Sequence, residues 1–273
     1  MNIKQKCSAA ALAGVLLLGA GQANAALTIT PGDLLMGFAK VNAAGTGYEG
    51  STYVYNLGPS TNFRESASPS FAIDTINIDL SATFGPGWAN DATVRWGIVG
   101  VVGPTDPLTN GDPARTTYFS QDFLGSASGS DPIVLSSSNR GSLSTSLKSF
   151  SNSMNGIPEN GAVDGGAIYP ISGVNSFGSF LPPGPATYFG VGVNPLTAMT
   201  AGPTAGLDVY RTLHTDAGAE LNSSFDANAV VGTGQYVGTF TLTDSGALNF
   251  VPEPSTGILA MLASLAVLRR RRA

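Results

Sequence analysis

A chain that does chemistry needs a nucleophile, a general base, a metal site or paired carboxylates, and most of these are scarce here. There is one histidine, His214, and one cysteine, Cys7. A serine triad, a zinc site or a histidine base would all rest on His214. It stands in Leu213-His214-Thr215-Asp216, at the end of an alternating run and before a turn, and reads as a surface histidine. No Gly-x-Ser-x-Gly elbow or phosphate-binding glycine loop occurs in a fitting context. Glycosidases need only two carboxylates, and Glu65, Asp74, Asp79 and Asp91 are candidates. The plainer reading makes them turn caps and solvated strand edges. Asp106, Asn110 and Asp112 could help hold a weak Ca²⁺ site, but without EF-hand or repeat spacing. Asp106-Pro107 and Asp112-Pro113 read more simply as turns. Tyr48, Tyr53, Tyr55, Trp88, Tyr118 and Tyr188 could offer flat faces to sugar rings, although some belong in the core. Trp88 follows Gly85-Pro86-Gly87 and looks the most loop-borne.

Period-2 runs must position these residues. Leu34, Met36 and Phe38 share one face of Asp33–Phe38. Thr52–Leu57 follows, and Ile76, Ile78 and Leu80 alternate along Phe71–Leu80. Val94, Trp96 and Ile98 oppose Arg95. Further runs cover Arg115–Gln121, Thr187–Val193, Leu207–Leu213, Gln235–Thr243 and Ala247–Val251. The last two are joined by Asp244-Ser245-Gly246, with Gly246 at the left-handed position of a hairpin loop. Short alternating strands bounded by Gly, Pro, Asn and Asp predict a mainly β protein, an antiparallel β-sandwich of jelly-roll type. One segment differs. Leu143, Leu147, Phe150 and Met154 recur at helical spacing, predicting a short amphipathic helix over Gly141–Met154. Asn139 or Ser142 would cap it and Asn155-Gly156 would end it. Gly103–Pro113, Asn155–Gly166 and Asn175–Pro185 read as loops. No repeat or linker divides the body.

Both ends read as addresses. Lys4 and Lys6, the apolar run Ala9–Gly21 and Ala23-Asn24-Ala25 form a Sec signal peptide over residues 1–25, with its own helix. Cleavage between Ala25 and Ala26 would remove Cys7, so the mature protein needs no disulfide and has no thiol. At the other end Pro252-Glu253-Pro254 is held extended by its prolines. Gly257–Leu268 follows, an apolar stretch of helix-forming residues, and then the stop-transfer cluster Arg269, Arg270, Arg271 and Arg272. Twelve residues make a helix of roughly 18 Å, or about 21 Å with Ser255 and Thr256. The hydrocarbon core is ~30 Å thick. So short a helix suits a temporary stop awaiting cleavage better than a permanent anchor.

These three parts, in this order over 251–273, resemble the PEP-CTERM sorting signal of Gram-negative bacteria. The resemblance implies recognition near Pro252–Pro254 by an exosortase, a membrane-embedded cysteine transpeptidase-like enzyme. It also implies a setting in which exopolysaccharide is made and exported. A second resemblance is to a recurrent PEP-CTERM body type of uncharacterised function. Its blocks here include Gly32–Phe38, Tyr53–Gly58, Arg95–Gly100, Leu207–Arg211 and Gly234–Phe240.

The ends hold six of the 13 Lys and Arg and one of the 18 Asp and Glu, leaving the body seven cations against 17 acids. Such an acidic body argues against nucleic acid and anionic lipid as partners. The reading that results is a single β-rich extracellular domain over 26–250, with no cofactor, no metal and no catalytic activity of its own. Sec exports it, and it inserts transiently in the inner membrane through 257–268. An exosortase then sorts it to the surface or the extracellular matrix. The alternative is a carbohydrate-binding module acting on exopolysaccharide. A two-carboxylate glycan hydrolase is the third.

Overall fold

The computed structural model describes residues 25–64, 71–122, 134–170, 197–198, 204–214 and 231–252. Ten strands form one antiparallel sheet: β1 Asp33–Val41, β2 Tyr48–Pro59, β3 Phe71–Thr75, β4 Val94–Val101, β5 Thr117–Asp122, β6 Gly166–Pro170, β7 Thr197–Ala198, β8 Thr204–Thr212, β9 Gln235–Thr243 and β10 Ala247–Pro252. Their order is β3-β10-β9-β8-β5-β4-β1-β2-β6, with β7 pairing to β4. The sheet curls into a half-barrel. The predicted mainly β, antiparallel character holds, and the jelly-roll sandwich does not. Among the described residues there is one sheet instead of two facing ones, and helices cover it: α1 Thr61–Arg64, α2 Asn77–Phe84 and α3 Ser137–Met154.

The pleat explains how one sheet serves two cores. Leu34, Met36 and Phe38 of β1 join Tyr53, Trp96, Ile98, Tyr118, Leu207, Val209, Phe240 and Phe250 on one face. Phe63 of α1, Leu80 of α2 and Trp88 pack there too. Leu35, Val54, Val99, Phe119, Tyr210 and Tyr236 point the other way and meet Leu143, Leu147, Phe150 and Met154 of α3. Alternation puts neighbours on opposite faces, so a strand covered on both sides reads as a continuous apolar run. Leu34-Leu35-Met36 is such a run, and all three are buried.

The stripe of α3 is the one predicted, but the helix starts earlier. Ser136, not Asn139 or Ser142, is the cap: its Oγ accepts the Asn139 N–H at 3.3 Å. Phe71–Leu80 departs further from expectation. It is strand only to Thr75, and α2 begins at Asn77. Ile76 and Leu80, four apart, are buried, whereas Ile78 is 61% exposed. A short alternating run satisfies both periods at positions i and i+4, and the β9–β10 turn decides between them. The Ile76 N–H donates to the Gly246 carbonyl at 2.9 Å, and Asn77 lies against Gly246.

The hairpin β9–β10 forms as read, with Gly246 at φ +78°. Its other end depends on a close approach. The Phe250 ring crosses Gly238, where a Cβ would meet the ring and the Val251 carbonyl oxygen at 2.5 Å. Gly238→Ala should therefore cost ~1–3 kcal/mol of overpacking and lower Tm by about 2–10 °C. Gly87→Ala, with open space around it, should leave Tm unchanged. Thermal melts of the two variants check this; equal melting would show that the ring does not need Gly238.

Candidate functional site

Most of the described residues that sequence nominated for chemistry do structural work. Asp112 is fully buried. Its Oδ1 receives Arg64 Nη1 at 2.6 Å, and Arg211 Nη2 lies at 2.6 Å as an ion pair without hydrogen-bond alignment. Its Oδ2 accepts from the Tyr118 hydroxyl at 2.7 Å and from Ser60 Oγ at 3.2 Å. Arg64 Nη2 also donates to the Asn110 carbonyl at 2.6 Å. Burial first, then the Asp112 charge, raises the Tyr118 pKa far above its ordinary value, so the phenol stays protonated. Asp106 accepts from Lys148 Nζ and from the Gly103 N–H, both at 2.8 Å. A Ca²⁺ site over Asp106–Asp112 would have to displace these cations. Among the described residues no group of three His, Cys, Asp or Glu stands close enough to hold a metal ion.

Arg64 and Arg211 were not nominated, although Arg211 carried a signal. It falls in register with Leu207, Val209 and Leu213, where a charge must find a buried partner.

The nominated carboxylates are not brought together as a pair. Asp79, read as a strand-edge residue, is buried and accepts the Ala162 N–H at 2.6 Å, which holds the loop before β6. Asp91 accepts from Thr93 Oγ1 at 2.5 Å and pairs with Lys40 at 2.9 Å, and the Thr93 bond leads in lowering its pKa. The Asp74 side chain and Glu65 lie outside what is described. The sugar-stacking platform is overturned for four of its six members. Tyr53, Tyr55, Trp88 and Tyr118 are buried, and Trp88 Nε1 donates to Asn77 Oδ1 at 2.9 Å. All four belong to one buried cluster, so none offers a flat face to a sugar. Tyr48 packs against the α3 cluster, and Tyr188 lies outside the described residues.

His214 is half-buried at the end of β8, and its carbonyl accepts from Arg140. Desolvation, then the charges of Arg115 and Arg140, lowers its pKa.

The fold begins and ends close to the two addresses expected from the sequence. Of the cleavage residues, Ala23 lies outside the described chain. The Ala25 carbonyl accepts the Glu159 N–H at 2.7 Å, Ala26 bridges to Pro158, and Leu27 is already buried. At the other end Phe250 is buried, with ring centroids 5.1 Å from Phe63 and 4.6 Å from Phe240. Val251 is 42% exposed. Pro252 opposes Gly238 as the last residue of β10. Pro252, the first proline of the motif, enters the sheet at a strand end, where its missing N–H costs least. Glu253, Pro254, Arg269–Arg272 and the two helices expected from the sequence, in the signal and over 257–268, lie outside the described residues. Among the described residues no helix is long and apolar enough to cross a membrane.

Two measurements test these assignments. Asp112→Ala leaves two guanidiniums buried around a lost anion, and should cost ~3–5 kcal/mol. Asp106→Ala removes a partly exposed pair and should cost about 1 kcal/mol or less. Denaturant midpoints check the ranking. His214 takes up its proton in the unfolded chain before the folded one, because its folded pKa is the lower. Its contribution is therefore complete above about pH 6.5 and is lost as pH falls below that. Tm should drop between about pH 7.5 and pH 5.5, above the carboxylate range, and drop less in His214→Gln.

Among known proteins, no curated protein and no solved structure matches this chain. One family model does match, the PEP-CTERM protein-sorting motif, over residues 250–272. The chain thus carries, beginning at Phe250, the last buried residue among those described, the exosortase-type sorting signal of an exported protein.

Proposed function

We propose that this protein is an exported component of the cell surface or extracellular matrix that an exosortase sorts through Pro252, Glu253 and Pro254, with no catalytic activity of its own. The observation that carries the reading is the sorting motif over 250–272, joined to a fold whose last paired residue, among those described, is Pro252. A processing enzyme needs an extended peptide, and two prolines flanking one acid keep this one extended. Residues 1–25 are the Sec signal, 26–250 the body and 251–273 the sorting segment, which inserts transiently in the inner membrane through 257–268. The absence of catalysis is supported by the employment of Asp79, Asp91, Asp106 and Asp112 in holding loops and cations. Exopolysaccharide remains a partner only by way of the setting the signal implies, since four of the aromatic residues nominated for it are buried.

The test is fractionation in a host with its own exosortase. The extracellular form should begin at Ala26 and lack Arg269–Arg272 by intact mass. Glu253→Ala should leave Tm unchanged and make the precursor accumulate in the inner membrane, because Glu253 is the only charge between Asp244 and Arg269. Deleting the four arginines should fail differently, since the ~21 Å helix then lacks its cytoplasmic stop. Normal release of the Glu253→Ala protein would overturn recognition through this residue.

A further inference from the structure

Among the described residues four large apolar side chains are well exposed: Ile78, Leu108, Val134 and Val251. Three of them lie at one end of the sheet. Leu108 is in the connection from β4 to β5, whose ends meet at Val101 and Thr117. Val134 bridges to Thr233, just before β9. Val251 is at the end of β10, opposite Thr239. Following the antiparallel pairs β4-β5-β8-β9-β10 puts all three at the end from which the chain leaves toward the sorting segment. Ile78 sits beside the β9–β10 turn, at the other end.

Bridges, ion pairs and a backbone hydrogen bond tie down the chain at Leu108 and Val134. The Leu108 loop is pinned by the Thr109–Asp112 bridge, by Asp112 on its two arginines and by Asp106 on Lys148. Val134 is 75% exposed, while its neighbour Leu135 is buried and donates its N–H to the Gly232 carbonyl.

Chain length supplies the partner. Five residue steps separate Pro252 from Gly257, where the apolar stretch begins. At ~3.3–3.6 Å per residue that tether reaches at most about 18 Å. The headgroup layer takes up roughly 5–7 Å of it. Strand β9 has nine residues and is ~30 Å long. The tether is shorter than the sheet, so an inserted tail brings the exit end, and not the β9–β10 turn, against the bilayer.

We propose that this end of the body is a membrane-docking surface of the uncleaved precursor, with Leu108, Val134 and Val251 dipping into the lipid headgroup layer. It rests on the reading that 257–268 inserts in the inner membrane. Docking would present Pro252–Pro254 at the membrane surface, where a membrane-embedded enzyme works. Three side chains are too few for lasting attachment without the tail, so cleavage would free the body.

The mature chain has no other thiol once Cys7 leaves with the signal, which allows a direct test. Leu108→Cys, Val134→Cys, Ser245→Cys and Thr46→Cys are expressed in a host that lacks an exosortase. Each is labelled with bimane in isolated inner membranes, and quenching by spin-labelled phosphatidylcholine is measured. Ser245 and Thr46 are exposed in turns at the opposite end. Labels at positions 108 and 134 should be quenched at least about twofold more than labels at 245 and 46, as expected for groups a few ångströms into the interface. Equal quenching on membrane-bound protein would overturn the docking surface and leave tail insertion standing. Recovery of the protein in the soluble fraction would overturn tail insertion, and the docking surface with it.

Discussion

The buried carboxylate of Asp112 is the constraint on which one end of this molecule depends. Burying a carboxylate is costly, and the two guanidiniums beside this one offset that cost. Paired, it joins four pieces of chain: α1 through Arg64, β5 through Tyr118, β8 through Arg211 and its own loop. The consequence reaches further than the charges. Arg64 fixes α1, α1 carries Phe63, and Phe63 packs at 5.0 Å on Phe240 and at 5.1 Å on Phe250. Phe250 is the last buried side chain before the sorting segment. Its ring in turn requires the bare backbone of Gly238. A charge cluster in one loop thus fixes the place where the chain leaves the fold.

What sequence revealed of the fold follows from which interactions are local. The β9–β10 hairpin was legible because its strands are neighbours and its glycine turn is short. The stripe Leu143–Met154 was legible because a helix buries its own period against whatever covers it. The architecture was not. Alternation says that Met36 and Leu35 face opposite ways. Whether the opposite faces belong to one covered sheet or to two facing sheets is set by long-range pairing, such as β8 with β5 and β10 with β3. Phe71–Leu80 failed for the related reason that five residues fit both periods. A turn more than 160 residues away in the chain, at Gly246, made the choice.

The nominated chemistry failed in a consistent direction. Asp79, Asp112, Tyr53, Tyr118 and Trp88 all looked available and are buried. In a body with seven cations, two guanidiniums converge on one aspartate and a lysine is held by another. Aromatic and acidic side chains that the sequence left unpartnered therefore proved to be fillers and ties of the two cores. Arg211, charged at an apolar register, carried a sign of its burial.

The sorting signal behaves in the opposite way, and the contrast has a physical cause. A segment read by an enzyme as an extended peptide has its information in consecutive residues, so Pro252-Glu253-Pro254 is as plain in the sequence as it would be to the enzyme. A site built by folding has its information in distances between residues far apart, as between Arg64 and Arg211. The two kinds meet at Phe250. It belongs to the core by its ring and to the matched motif by its position. No slack separates them, since Pro252 still faces Gly238 across the sheet. The folded body is therefore part of what a processing enzyme must approach. On the proposed sorting route, the shape of its exit end, set by Asp112, Phe63 and Gly238, would bear on processing alongside the motif.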